Sequence, residues 1–263
     1  MSRSLLLAID VGNTNIVFAL CEGDKAIAQW RTSTDTRRTA DEYAVWLTQL
    51  MGLRGLQHTD VGAAIVASVV PNANFEIWTL CERYFRATPM AIGDDGIELG
   101  LKINLDRPRD VGADRLVNAV AAHARYPGWL IVIDFGTATT FDVLSAAGDY
   151  EGGVIAPGIH LSLEALEKGA ARLPRIAVER PARIVGKSTV PAMQSGIFWG
   201  YVGLIEGLVA RIKSETGQPM TTIATGGLAP LFVDATAAID RVDADLTLFG
   251  LCKVYDLNLG QTR

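Results

Sequence analysis

The residues best suited to chemistry lie in a turn between two apolar runs near the start of the chain. The first run ends on Asp10, and Gly12–Asn15 follow before the second run begins. Such a turn exposes backbone N–H groups and a hydroxyl beside one carboxylate, so it can bind phosphate while the carboxylate holds hydrated Mg²⁺. A plain β-hairpin, in which Asp10 and Asn13 only shape the turn, explains a single copy at least as well.

The same pattern occurs a second time, about half the chain later. The apolar run Leu130–Ile133 ends on Asp134, and Gly136 and Thr137 precede a further apolar run. Two copies at this spacing favour the phosphate-binding interpretation. They predict a duplicated fold whose two turns face each other across a cleft, where a nucleoside triphosphate could bind.

A third candidate lies at the predicted start of a helix that runs to about Arg125. Gly112-Ala113 precede Asp114 and Arg115, which fall in the first turn, where free N–H groups and the helix dipole favour anions. Taken alone, the pair is more simply a helix-start carboxylate and a surface ion pair. Beside two phosphate turns we interpret Asp114 as a base for an attacking hydroxyl.

Composition limits the classes of function. The chain has 263 residues, is 49% hydrophobic and 20% charged, and carries a net charge of −5, which argues against nucleic-acid binding. The three cysteines are scattered and without metal-ligand spacing, so they predict reduced thiols in a cytoplasmic protein. The isolated histidines make a transition-metal site improbable. We expect neither a signal peptide nor a membrane span.

The predicted elements alternate between strands and helices, which is typical of an α/β fold. Thr39 and Glu42 predict a capping box at the start of a helix to about Leu50. Gly62–Val70 is expected to be a strand buried on both faces, followed by a helix from Phe75 to Phe85. A long helix over Thr189–Thr216 carries glycines at intervals of three to four, which we interpret as a packing surface, either within the chain or between subunits. The predicted domains are 1–115 and 116–263.

These motifs together resemble the acetate and sugar kinase/actin superfamily and, within it, the type III pantothenate kinases. The resemblance covers nearly the whole chain in the right order. It implies a duplicated ribonuclease-H-like (actin-like, sugar-kinase) α/β fold with two mixed-sheet domains flanking a nucleotide cleft. The matching stretches are Asp10–Asn15, Val111–Leu116, Ile133–Thr140, Gly152–Gly158, Thr189–Gly196 and Ala224–Gly227.

The resemblance also implies an activity and its requirements. Family members phosphorylate pantothenate with ATP in the first step of coenzyme A synthesis, as homodimers that need Mg²⁺ and a monovalent cation, K⁺ or NH₄⁺. Nucleic acid and membranes are not expected partners.

The site residues follow from the same match. Asp114 is the expected general base, and Arg115 orients the substrate. Asp134 is expected to bind the monovalent cation and Thr137 to contact ATP, while Thr189 reaches the substrate from the second subunit. The residues expected to bind the ATP phosphates are Asp10, Val11, Gly12, Asn13, Thr14, Asn15, Ile16 and Val17, with Asp10 also holding Mg²⁺. Those expected to line the pantothenate site are Gly112, Ala113, Asp114 and Arg115.

Two positions depart from the family pattern. Leu105 stands where the family usually has Tyr, and Ser188 stands where it usually has Asn. Both changes affect the substrate assignment more than the kinase assignment. They leave two alternatives open: another small-molecule kinase of the superfamily, or an ATP-binding regulatory module without strong kinase activity.

Overall fold

A computed structural model describes residues 4–169 and 173–259, which fold into two compact units. The first unit contains the described residues up to Lys102, together with Asp106–Arg125 and those from Asp245 onward, and the second contains 103–105 and 126–244. This division differs from the predicted one after residue 115. Two helices, α3 (Ala113–Arg125) and α7 (Leu246–Asn258), pack on the sheet of the first unit. They therefore belong to the first unit, although both contain residues beyond position 115.

The first unit is built on a mixed five-stranded sheet. Its first three strands form an antiparallel meander, and two further strands run parallel to the first. The order is β3-β2-β1-β4-β5. The strands are β1 (Leu5–Val11), β2 (Asn15–Glu22), β3 (Lys25–Ser33), β4 (Val61–Ser68) and β5 (Pro89–Ala91).

Both faces of this sheet are buried. Alternate residues of β1 point to opposite faces, so Leu7 and Ile9 belong to one hydrophobic cluster, whereas Leu6 and Ala8 belong to another. The prediction that the chain around Gly62–Val70 is a strand buried on both faces is confirmed, because β4 contributes to both clusters.

The helices of the first unit begin where the sequence offers suitable caps. The prediction for α1 (Ala40–Gly52) is confirmed: the Thr39 side chain accepts from the Glu42 N–H, and the Glu42 carboxylate accepts from the Thr39 N–H. The next helix was predicted too late in the chain. It starts at Pro71, which suits the first helical position because proline has no N–H to lose. This helix is α2 (Pro71–Thr79), and a π-helical turn extends it through Tyr84.

The second unit repeats the topology of the first. Three antiparallel strands are followed by two parallel ones, in the order β10-β9-β6-β7-β8. The predicted duplicated fold with two mixed sheets is therefore confirmed. The strands are β6 (Trp129–Phe135), β7 (Ala138–Leu144), β8 (Tyr150–Pro157), β9 (Met220–Thr225) and β10 (Arg241–Val242). The helices are α4 (Ile159–Gly169), α5 (Thr189–Thr216) and α6 (Ala229–Val233).

The long helix α5 has the predicted bounds and presents two different faces. One face lies in the core, where Phe198 stacks on Phe232 and Phe232 stacks on Phe135. The other face carries Gly196, Gly200 and Gly203, which are exposed; a Cβ added at any of them would meet nothing within 4 Å. Among the described residues, no helix is long and apolar enough to cross a membrane.

Candidate functional site

The first turn joins β1 to β2 at the edge where β1 ends. Val11 pairs with Ile16, and the turn closes with the Gly12 N–H donating to the Asn15 carbonyl at 3.0 Å. Asn13 and Thr14 at its tip are exposed, while Asp10 is half-buried. The turn therefore presents its tip to solvent beside the carboxylate, as phosphate binding requires.

The segment with Asp114 lies in the same unit and next to this turn. Val69, which follows β4, donates its N–H to the Val11 carbonyl at 3.0 Å. A Cβ added to Gly112 would lie 3.4 Å from Val69 Cγ1. Val69 thus touches both segments, which meet at the carboxyl ends of the parallel strands β1 and β4, where ligands bind in α/β sheets.

Asp114 is held in place by the backbone around it. Its Oδ1 accepts the Arg115 N–H at 2.8 Å, and a Cβ added to Gly112 would stand only 2.6 Å from that oxygen. A side chain at position 112 would therefore displace the carboxylate from this position. Burial raises the pKa of Asp114, and the N–H and the positive charge of Arg115 partly oppose that rise. A raised pKa makes a carboxylate a stronger base.

The second turn lies between β6 and β7, and the backbone at two glycines approaches it closely. The Gly158 N–H donates to the Thr137 carbonyl at 3.1 Å, and a side chain at Gly158 would overlap that carbonyl. Gly226 has φ +89°, and a Cβ there would lie 2.8 Å from Asp134 Oδ1. The end of β9 thus brings its backbone against the Asp134 carboxylate, which only glycine permits.

The two turns differ in what surrounds their aspartates. Asp10 is paired across the sheet with Val17 and Ala67. Asp134 is paired with Thr140 and Thr225 instead. Because directly paired residues point to the same face of a sheet, oxygen-bearing side chains flank the second aspartate, whereas apolar ones flank the first.

The face of the second sheet that carries Asp134 and Thr140 stays polar along β7. Asp142 is fully buried there, accepts from the Tyr150 hydroxyl at 2.6 Å, and lies 3.3 Å from the Thr140 hydroxyl. Burying a carboxylate costs free energy unless hydrogen bonds compensate it, and here the Tyr150 and Thr140 hydroxyls supply those bonds.

The remaining predicted residues lie on other elements of the second unit. Thr189 is the exposed first residue of α5, and Ser188 before it makes no side-chain capping bond. Leu105 is half-buried, with its Cδ2 3.4 Å from the place where Gly152 would carry a Cβ. Leucine therefore packs on the backbone of β8 without a polar contact there.

Several residues around the two turns could not be recognised from the sequence. Val69 gave no signal, because a valine after an apolar strand is ordinary. Thr140 and Thr225 stood inside quoted motifs, but their proximity to Asp134 depends on strand register. Gly158 stood inside a quoted motif, yet its close approach to Thr137 is visible only in three dimensions.

Metal binding depends on which donor side chains of the described residues lie together. Within 4–169 and 173–259, no group of three or more His, Cys, Asp or Glu side chains is placed to hold a metal ion. A single carboxylate fits Mg²⁺ that arrives with a nucleotide, because Mg²⁺ commonly binds through one or two carboxylates, phosphate oxygens and water. Asp10 fits this role.

Comparisons with solved structures agree with the duplicated fold. A Campylobacter jejuni protein, provisionally described as a Baf family transcriptional activator, matches with a TM-score of 0.60 at 18% identity; the match covers 97% of this chain and 99% of that one. A Sinorhizobium meliloti protein, provisionally described as a 2-dehydro-3-deoxygalactonokinase, gives 0.57 at 15% identity, covering 97% of each chain. At these identities the likeness shows the fold alone.

Comparisons of sequence are more specific. The family model for type III pantothenate kinase matches residues 6–211. A type III pantothenate kinase of Paramagnetospirillum magneticum is 64% identical over 254 residues, which cover 97% of this chain and 98% of that protein. Together with the geometry of the two turns and Asp114, these matches show that the chain belongs to the type III pantothenate kinase family.

Proposed function

We propose that this protein transfers the γ-phosphoryl group of ATP to pantothenate, giving 4′-phosphopantothenate in the first step of coenzyme A synthesis. The observation that carries the proposal is the junction at Val69, which touches both the first turn and Gly112. The turn that would bind phosphate and the half-buried Asp114 carboxylate that would act as the base thereby lie near one edge of one sheet. We also propose that it works in the cytoplasm, where ATP is abundant and its buried cysteines stay reduced.

The residues of the first unit divide the chemistry between them. Phosphoryl transfer needs charge neutralisation, in-line positioning and a base. The N–H groups of Gly12–Asn15 and the Thr14 hydroxyl would bind phosphate oxygens, with Asp10 holding Mg²⁺, which neutralises charge on the transferred group. Asp114 would take the proton of the pantothenate hydroxyl, and Arg115 would orient the substrate against Gly112 and Ala113.

The second turn has a different role in this proposal. Asp134 would bind a monovalent cation and Thr137 would contact ATP. Its support is the set of side chains around the carboxylate, since the Thr140 and Thr225 hydroxyls share its face of the sheet. Oxygen ligands suit hard cations, whereas the valine and alanine beside Asp10 could not supply them.

An activity assay tests this function. We expect ADP formation that requires pantothenate and Mg²⁺ and rises when K⁺ or NH₄⁺ replaces a large organic cation. Asp134→Asn should lose most of that cation stimulation, because the amide carries no charge. Asp149→Asn is a matched control, because Asp149 is half-buried like Asp134, and it should retain the stimulation.

The assay also separates the alternatives. Activity with a sugar or another carboxylate but not with pantothenate would indicate a different kinase of the superfamily. ATP binding without turnover of any acceptor, under every cation, would indicate a regulatory module and contradict the proposal.

We further propose a homodimer in which α5 packs on its partner and Thr189 completes the substrate site of the other subunit. Gly196, Gly200 and Gly203 leave an open strip along α5 into which a partner's helix could fit closely. Ile184 and Val190 are exposed large apolar residues near the start of the same helix. Buried against a second copy, this surface would contribute hydrophobic free energy.

Gly200→Glu tests the dimer. Two carboxylates forced together at the strip should shift the protein from dimer to monomer in sedimentation velocity and lower activity at low protein concentration. Ser214→Glu, also exposed on α5 but among charged residues near its end, should remain dimeric. A wild-type protein that sediments as a monomer at micromolar concentration would contradict the dimer.

A further inference from the structure

Thr34 is a residue to which neither the motifs nor the family match assigns a role, and it contacts the first turn twice. It follows β3, where its hydroxyl donates to the Gly12 carbonyl at 2.6 Å. Its backbone N–H donates to the Thr14 carbonyl at 3.0 Å. Both bonds come from outside the hairpin, and both end on the turn proposed to bind phosphate.

These two bonds fix the orientation of two peptide groups. A peptide bond is planar and trans, so its N–H points away from its C=O. With the Gly12 carbonyl turned toward Thr34, the Asn13 N–H points to the opposite side. The Thr14 carbonyl orients the Asn15 N–H in the same way. Thr34 therefore sets the direction of two of the N–H groups in this turn.

Thr34 lies in a hydrogen-bonded connection between β3 and α1. The Asp35 carboxylate accepts from the Arg37 N–H at 3.0 Å and from its Nε at 3.1 Å. Arg38 donates to the Thr32 hydroxyl at 2.7 Å, and its guanidinium lies 4.8 Å from the centre of the Tyr43 ring. Arg38 thus links β3, on one side of Thr34, to α1 on the other.

We propose that Thr34 is a positioning residue that preorganises the first turn for the phosphates of ATP. It touches no reacting atom; it acts by keeping N–H groups aimed at the place where phosphate oxygens bind. Preorganised donors bind more tightly because less conformational freedom is lost on binding. This inference rests on the proposed function, since it assumes that the first turn binds ATP.

Calorimetric titration with a non-hydrolysable ATP analogue and Mg²⁺ tests the proposal. Thr34→Val keeps the shape but removes the hydroxyl, and we expect its Kd to rise roughly 3- to 10-fold, the range that one lost hydrogen bond gives. The KM for ATP should rise in parallel, while the KM for pantothenate stays unchanged. Thr34→Ser, which restores the hydroxyl, should recover most of the affinity.

The chain offers a matched control at Thr48. Its hydroxyl also donates to a backbone carbonyl at 2.6 Å, that of Ala44 within α1, far along the helix from the turn. Thr48→Val should bind the analogue like the wild type. If Thr34→Val does not fold, Thr34→Cys provides a second variant with a poor donor and is expected to show the same rise.

The outcomes separate this inference from the proposed function. A wild type that binds neither the analogue nor ATP overturns the proposed function, and this inference with it. A wild type that binds normally, with Thr34→Val within twofold of it, overturns only the positioning role. Equal losses in Thr34→Val and Thr34→Ser would also overturn it, because the hydroxyl would then not be the cause.

Discussion

Asp114→Asn is expected to lower kcat by about 10²–10⁴-fold, the usual contribution of a positioned general base. The amide oxygen can still accept the Arg115 N–H that Asp114 Oδ1 accepts at 2.8 Å, so the local geometry should persist. Steady-state kinetics should show the loss in kcat, with the Kd for ATP nearly unchanged. In the wild type, kcat/KM should fall as the pH drops through the raised pKa of Asp114, because the protonated carboxyl cannot act as a base.

The same substitution should not destabilise the protein. Burial raises the pKa of Asp114 in the folded state, so ionising it costs more there than in the unfolded chain. That cost is absent below the ordinary pKa of aspartate and fully present above the raised one. At neutral pH, Asn removes the cost, and the thermal midpoint of Asp114→Asn should equal or exceed that of the wild type.

Asp95→Asn is the control for this experiment. Asp95 is fully exposed and pairs only loosely with Arg109, at 3.7 Å. Its loss should change neither kcat nor the thermal midpoint. Near-normal turnover by Asp114→Asn would contradict the base assignment, and a large drop in its thermal midpoint would show instead that the carboxylate serves the fold.

Gly250→Ala should destabilise the first unit. Gly250 lies where α7 crosses α3, and an added Cβ would overlap the Val117 carbonyl and lie 2.7 Å from Val117 Cγ1. Because the obstacle is backbone, the helices must separate. Overpacking of this kind lowers the free energy of unfolding by about 1–3 kcal/mol. The higher helix propensity of alanine offsets up to ~1 kcal/mol of that loss. We expect a fall of roughly 3–8 °C in the thermal midpoint.

Gly52→Ala separates the overpacking cost from the gain in helix propensity. Gly52 is also helical, at the end of α1, but a Cβ there would meet nothing within 4 Å. The propensity gain should therefore appear alone, and the thermal midpoint should stay the same or rise. If Gly250→Ala matched Gly52→Ala, the crossing of α3 and α7 would be less tight than described.

Local signals in the sequence predicted much of this fold. The capping box at Thr39 and Glu42 placed the start of α1, because those two side chains satisfy each other's backbone N–H groups without help from the rest of the chain. The two Asp-Gly turns predicted the duplication, since each hairpin is determined by a few consecutive residues. Asp114 was found because a carboxylate at a helix start is visible in one dimension.

Features set by distant residues could not be predicted in this way. No local signal shows that α7 belongs with the first sheet, since its partner α3 lies more than a hundred residues earlier. The role of Thr34 depends on two bonds to Gly12 and Thr14, which arise only when β3 pairs with β2. Similarly, the different surroundings of Asp10 and Asp134 follow from strand register.

The last helix, α7, packs on the first unit, and this affects how the protein folds during its synthesis. Its cluster with α3 includes Leu251 and Val254, which cover the face of the first sheet that carries Leu6 and Ala8. A ribosome adds about 5–20 residues per second. Because α7 follows the second unit in the chain, this apolar face is covered by α7 only several seconds after its strands have been synthesised. The first unit is thus begun first but completed last, and during that interval the part of its apolar face that α7 later covers stays exposed.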